Sequence, residues 1–391
     1  MFHVEYLLDD AHISNHKIHI DNGNAIWRCN RSVFDLDALK DLVNFIKTVE
    51  TQNFQGISID IILHDVRFVD KLIIILLECV CYYAITIMKS RVRVSFSCTP
   101  TIWTEGVHSS PLLLLNDFKR QKQEKYIEKF KMDYYHFHFR RLITIEENAD
   151  KPIASKVMQD SDTFFKAFMI PKDYRDQLTE VIAELIDNAL EHTGTDCLID
   201  IDVAPNYKKI LKDNGDNREL STDDFYGVNI VVVNFSRNIV GQRMRERFSV
   251  SKLYSERYKT VLAAKENHAK RWTPNYGESD FFLIASFQRG ISSRNDSDVT
   301  GGTGLTKLLQ LIQKKSDAYN CYMHSGNKKL IFQHDYLNFT KENWIGFNIP
   351  NDFIHNIPDR ECLQTSRFYI PGTAFNLDFV LSENNSNNVE E

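Results

Sequence analysis

The chain has 391 residues, 47 basic and 53 acidic side chains, a formal charge of −6 and 43% hydrophobic residues. That hydrophobic share excludes a disordered chain, and the mild acidity disfavours nucleic acid as the main partner, because phosphate binding needs an excess of Lys and Arg on one face. Glycine is scarce at 15 residues, which excludes collagen-like and low-complexity classes and makes any glycine cluster informative.

In chain order, Met1-Phe2-His3-Val4-Glu5 lacks the basic start and apolar run of a signal peptide. The seven cysteines (29, 79, 81, 98, 197, 321 and 362) form no CxxC pair, so a reducing cytoplasm is the expected compartment. Ile57–Leu63 reads as a buried strand, Asp70 starts a helix through Leu72–Met88, and Arg91–Ser97 alternates like another strand. Together they predict a right-handed βαβ unit. The run Leu72–Met88 is short for a membrane span and carries Glu78 at its centre, so a buried helix is expected and no span. Asn116-Asp117 caps a charged helix over Lys119–Lys125, and Tyr134–Ile145 reads as a strand with His136 and His138 on one face. Two metal ligands share a face in that way, but no carboxylate or Cys follows at ligand spacing, which favours a plain strand.

Pro171 opens the clearest helix, with Leu178, Val181, Ile182, Leu185, Ile186 and Ala189 on one stripe and Gly194 as its stop. Cys197–Val203 and Val228–Asn234 read as strands around a polar insertion at 205–227. Further strands are expected at Ala318–His324, Lys328–Gln333 and Ala374–Leu381, before a disordered tail.

Two features carry chemistry. Glu184, Asn188 and His192 are spaced by four, so they line one ridge beside the apolar stripe. A carboxamide oxygen can ligate Mg²⁺ and a carboxylate one turn away can orient or deprotonate an attacking group, although edge residues of any amphipathic helix can show the same spacing. The second feature is Gly301-Gly302-Thr303-Gly304-Leu305, directly before an apolar-periodic helix. Backbone amides there can cradle a phosphate, though a glycine cluster before a helix can also be only a turn. It is no Walker motif, because no Gly-Lys-Ser/Thr follows.

In order and spacing these segments resemble the GHKL ATPases (gyrase, heat-shock chaperone, histidine kinase, MutL). Glu184-Leu-Ile-Asp-Asn188-Ala-Leu-Glu-His192 resembles their Asn-box helix, in the form found in anti-sigma-factor kinases. Phe287-Gln-Arg289-Gly-Ile-Ser-Ser-Arg294 and Gly301–Leu305 resemble the phenylalanine box, lid and second glycine box, and Pro371-Gly372-Thr373 resembles the closing Gly-Thr. The adenine-side box departs from the pattern. Asn234-Phe-Ser236-Arg-Asn238 stands where the family has Asp-x-Gly-x-Gly. Asn234 keeps an acceptor for an adenine amino group, while Ser236 and Asn238 replace glycines, a change easier for Asn than for Ser at positive φ.

The resemblance implies ATP and Mg²⁺ as cofactors. It implies Asn188 as metal ligand, Glu184 as general base, His192 near the phosphates, Gly301, Gly302, Thr303 and Gly304 as their backbone cradle, and Arg289 and Arg294 on the γ-phosphate. No phosphoacceptor His-Glu-x-x-x-Pro segment precedes the domain. The N-terminal βαβ loosely resembles a STAS domain, but Asp70-Lys71-Leu72 offers no phosphorylatable Ser.

The expected α/β architecture is a STAS-like domain over 1–110, a connector over 111–164, a GHKL α/β sandwich with a mixed sheet over 165–382, and a tail over 383–391. The expected function is Mg-ATP binding and hydrolysis, with a lid over 241–300 whose closure regulates a protein partner; a homodimer is compatible with it. An anti-sigma-type protein serine kinase and a non-catalytic nucleotide-binding module are the alternatives.

Overall fold

The computed structural model describes residues 2–13, 18–52, 56–96, 110–150, 153–207, 210–213, 218–220, 225–250, 256–291, 304–316 and 321–382. After a 3₁₀ turn at Val4–Leu8, β1 (His19–Asp21) and β2 (Asn24–Arg28) form a hairpin. The two-residue β3 (Val33–Phe34) leads to α1 (Leu36–Thr51), capped by Asp35, which accepts from the Ala38 N–H at 2.9 Å. Next come β4 (Ser58–Leu63), β5 (Arg67–Phe68), α2 (Lys71–Thr86) and β6 (Val92–Phe96). β4 and β6 are parallel neighbours, so the expected βαβ unit is present, and Asp70 caps α2 by accepting from the Ile73 N–H at 3.0 Å. The four-stranded sheet has the order β1-β2-β4-β6 and mixes one antiparallel with two parallel pairings.

A 3₁₀ turn at Pro111–Leu115 precedes α3 (Arg120–Lys131), β7 (Met132–Tyr135), β8 (His138–Ile143), α4 (Ile145–Asp150) and α5 (Ile153–Lys166). The stretch expected as a connector thus supplies two strands to the main sheet. His136 turns the chain at φ 46° between β7 and β8, so His136 and His138 do not share a strand face as expected.

α6 (Lys172–Thr193) starts after Pro171 and stops at Gly194, which takes φ 65°. β9 (Cys197–Tyr207) reaches into the expected polar insertion, which also holds the hairpin of β10 (Ile210–Asp213) and β11 (Arg218–Leu220). β12 (Phe225–Asn234), α7 (Gln242–Val250), α8 (Glu256–Ala269), α9 (Glu278–Ala285), α10 (Gly304–Lys315), β13 (Tyr322–Ile331) and β14 (Leu363–Ser382) complete the order.

The main sheet has the order β13-β14-β12-β9-β8-β7, and all five of its pairings are antiparallel. Mixed pairing, expected here, belongs to the N-terminal sheet instead. Two consecutive helices, α5 and α6, return the chain to the end where β8 stopped, so β9 runs antiparallel beside it.

Strand alternation gives this sheet two apolar faces. Cys197, Ile199, Ile201, Val228, Ile230 and Val232 share a core with α5, α6, α9 and α10. Leu198, Val231, Val233, Phe235, Ile370 and Ala374 share the other core with α1, α2 and the N-terminal sheet. The boundaries drawn at 110 and 165 follow composition; the core does not divide there. α2 lies between the two sheets with 14 of its 16 residues buried, which explains why it is apolar all round. Among the described residues no helix is long and apolar enough to cross a membrane, and six cysteines are free and buried.

Candidate functional site

The apolar stripe of α6 faces the sheet, which leaves Glu184 and Asn188 half-buried at its flank. α10 packs on α6 and is pinned at two points, one on α6 and one on the turn after α9. Lys307 pairs with Glu180, and the Thr306 hydroxyl donates to the Phe287 carbonyl at 3.4 Å. The N-terminus of α10 therefore meets Glu184. A Cβ built on Gly304 would lie 2.1 Å from Glu184 Oε2 and 2.7 Å from its Cδ, so the carboxylate lies directly against Gly304 and a larger residue would push it aside. Residues 120 positions apart are thus in contact, one with a carboxylate and the other with helix-terminal amides. Asn188 has no hydrogen-bond partner among the described residues, so its carboxamide oxygen is free for a cation. Leu305 packs against the helix-side core. Of the other expected phosphate-side residues, Gly301, Gly302, Thr303 and Arg294 lie outside the described residues, as does the side chain of His192.

Asn234 ends β12 opposite Thr373 on one side and Cys197 on the other, and is 3% exposed. Its Nδ2 donates to Thr193 Oγ1 at 3.1 Å and faces Thr195 Oγ1 at 3.4 Å. The Thr193 hydroxyl donates to the Ala189 carbonyl, which can only accept, so its oxygen receives the Asn234 amide. This network orients the carboxamide, turning its Oδ1 away from the two threonines as an acceptor. Asn234 thereby offers what an Asp would offer. Thr193 and Thr195, which set this orientation, carry no motif signal; the only clue is their position just after the 184–192 ridge.

Gly372, inside β14, permits the close approach of that strand to the backbone at Asn234–Ser236. At φ 87°, its Cβ would lie 2.4 Å from the Asn234 carbonyl oxygen and 2.7 Å from the Ser236 nitrogen. Ser236 and Asn238, standing where the family has glycines, both keep negative φ. Ser236 Oγ accepts from the Asn238 N–H at 3.0 Å, and the Ser236 N–H reaches the Pro371 carbonyl at 3.4 Å. The loop thus replaces glycine with a side-chain-stabilised turn.

The stretch expected as a lid, 241–300, holds three helices, and Phe281, Phe282, Leu283 and Ile284 of α9 are in the core. Most of it is therefore a fixed wall, with 251–255 and 292–300 outside the described residues. Arg289 is exposed, and its carbonyl accepts from Trp344 Nε1 at 3.2 Å. Arg257 on α8 escapes sequence reading altogether. A Cβ on Gly290 would lie 2.1 Å from its Nη1, so the guanidinium rests on that glycine, three residues beyond the Phe287 carbonyl held by α10.

Another polar cluster lies on the opposite face of the sheet. His138, Asp200 and Asp202 have ligand atoms close enough for one metal ion. The Lys71 ammonium, however, stands 2.6 Å from Asp200 Oδ1 and 2.7 Å from Asp202 Oδ2, where a cation would sit. Arg140 pairs with Asp200 and, at 2.6 Å, with Glu78, and His138 bridges Asp200 at 2.9 Å and Asp133 at 3.3 Å. Burial alone would raise the Asp200 pKa, but Arg140, Lys71 and His138 hold it well below the usual carboxylate range. Burial raises that of Glu78 despite Arg140. This set is a buried charge network and does not fit a metal centre.

Compared with protein-family profiles, with curated protein sequences and with solved structures, the chain matches none.

Proposed function

We propose that the region between α6, the start of α10, the end of β12 and the middle of β14 binds Mg-ATP in the manner of a GHKL ATPase, and that nucleotide state regulates a protein partner. The contact of Glu184 with Gly304 carries this reading. It puts a half-buried carboxylate at the helix N-terminus where a phosphate is favoured, and a general base is useful only within reach of the atom it deprotonates.

Around that contact each residue has a distinct task. The amides opening α10 hold phosphate oxygens, and Glu184 orients a water or hydroxyl for in-line attack and accepts its proton. Asn188 would hold Mg²⁺, which supplies charge neutralisation on the phosphates when bound. Asn234 Oδ1 accepts from the adenine amino group, with Thr373 beside it in the adjacent strand. Arg257 and Arg289 supply positive charge at the phosphate mouth.

ATP labelled on the γ-phosphate tests the reading on the full chain. Binding with released phosphate is expected, and Glu184→Gln should slow turnover by ~100-fold or more while sparing nucleotide affinity. Label on a co-incubated protein would instead indicate a protein kinase using the same base. If the wild-type chain binds no ATP in the presence of Mg²⁺, the proposal fails.

A further inference from the structure

The two edges of the main sheet are built differently. β13 has one exposed residue in ten, whereas β7 has three in four and no strand beyond it among the described residues. Along the β7 edge, Met132 is 66% exposed, Tyr134 54%, Tyr135 59% and Phe137 37%. The patch continues through ring contacts: Phe137 packs on Phe168 at 5.6 Å, tilted, and Tyr134 meets Phe164 edge-on at 5.8 Å. Met169, next to Phe168, is 86% exposed. A bare edge with an apolar fringe is a surface that pairs or aggregates, and folded chains rarely leave one open.

We propose that this edge is the interface between two copies of the chain, joined about a two-fold axis through β7. Two observations favour a second copy as the occupant. The first is charge. Every side chain of the patch is neutral, and the only charged residue of β7, Asp133, is buried and paired with Lys129 and His138. The charges near the edge, Lys129 over the Tyr135 ring and the exposed Lys131, lie at its margin, and the uncharged patch itself meets its own copy without like-charge contact, despite the net charge of −6 on the whole chain. The second is area. At ~200 Å² for a full-size side chain of this kind, the five exposed fractions amount to roughly 600 Å² per copy. Two copies then bury about 1,200 Å², which reaches the size of stable interfaces. An antiparallel edge strand is also self-complementary about a two-fold axis, which closes the assembly at two copies.

Sedimentation velocity on the full chain across a concentration series tests this inference. The wild-type chain should form a concentration-dependent dimer. Tyr134→Lys and Met169→Lys each place like charges across the axis and should weaken it by ~tenfold or more. Met169 is exposed enough for its variant to keep the wild-type melting temperature, which separates lost pairing from lost folding. Ile349→Lys, at a side chain 77% exposed elsewhere, should leave the dimer unchanged. A wild-type chain that stays monomeric throughout overturns the proposal. So does a dimer that persists in the folded Tyr134→Lys and Met169→Lys variants, or a monomer that pairs only with an unrelated protein.

Discussion

At His138, burial and charge pull in opposite directions, and the neighbours decide the outcome. Burial opposes protonation of the ring, but Asp200, Asp202 and Asp133 outweigh it and push the pKa up to about 9. In the unfolded chain the ring titrates near ~6.5. A raised folded-state value stabilises the fold fully below the unfolded pKa, and that contribution is lost as pH rises through the folded one. A shift of this size corresponds to ~3 kcal/mol at most, so the melting temperature should fall between about pH 6.5 and 9. His138→Gln should flatten that decline, and a wild-type profile without it would refute the assignment. The residues on which this depends were named only in part by sequence. His138 was noticed, but beside the wrong partner, because its neighbour Asp200 is 62 positions away. Motif order singles out Glu184, Asn234 and Thr373 as candidates; Lys71, Thr193 and Arg257 carry no such mark, because contacts between distant segments leave no local pattern.

At the scale of elements, legibility followed periodicity. The stripes of α6 and α10 stand out because each helix has one face to bury, and the apolar runs of β4, β9 and β12 because those strands are buried on both faces. α5 does not, and the β7–β8 hairpin reads as a single strand over Tyr134–Ile145, because their apolar residues are interrupted by charges that pair only in the folded chain, such as Arg141 with Asp160. One position inside β14 is under sharper constraint than any helix. Gly372 sits at φ 87° with the Asn234 backbone directly against it, so Gly372→Ala combines a left-handed backbone with a backbone clash. It should destabilise the fold by ~2–4 kcal/mol, seen as a lower denaturation midpoint. A midpoint equal to wild type would show that β14 and the Asn234 loop can separate without cost.

For the whole molecule, the decisive fact is that the main sheet is covered on both sides by different parts of the chain. A fragment over 165–382 would expose Leu198, Val231, Val233, Phe235, Ile370 and Ala374 to water and leave Asp200 and Asp202 without Lys71 and Arg140. The fragment should therefore be insoluble or lack a cooperative melting transition, while the full chain melts in one step. A soluble, cooperatively melting fragment would contradict this account of the core.

The central position of α2 also has a consequence for biosynthesis. Its first turn is completed by the Asn376 side chain, which accepts from the Leu72 N–H across 304 positions of sequence. During translation at ~5–20 residues per second, the most apolar helix of the chain therefore waits roughly 15–60 seconds for its second cover to leave the ribosome. Over that interval its outer face, later hidden beneath β12 and β14, is open to water and to chaperones, so the nascent chain is most vulnerable to aggregation just before its last strand emerges.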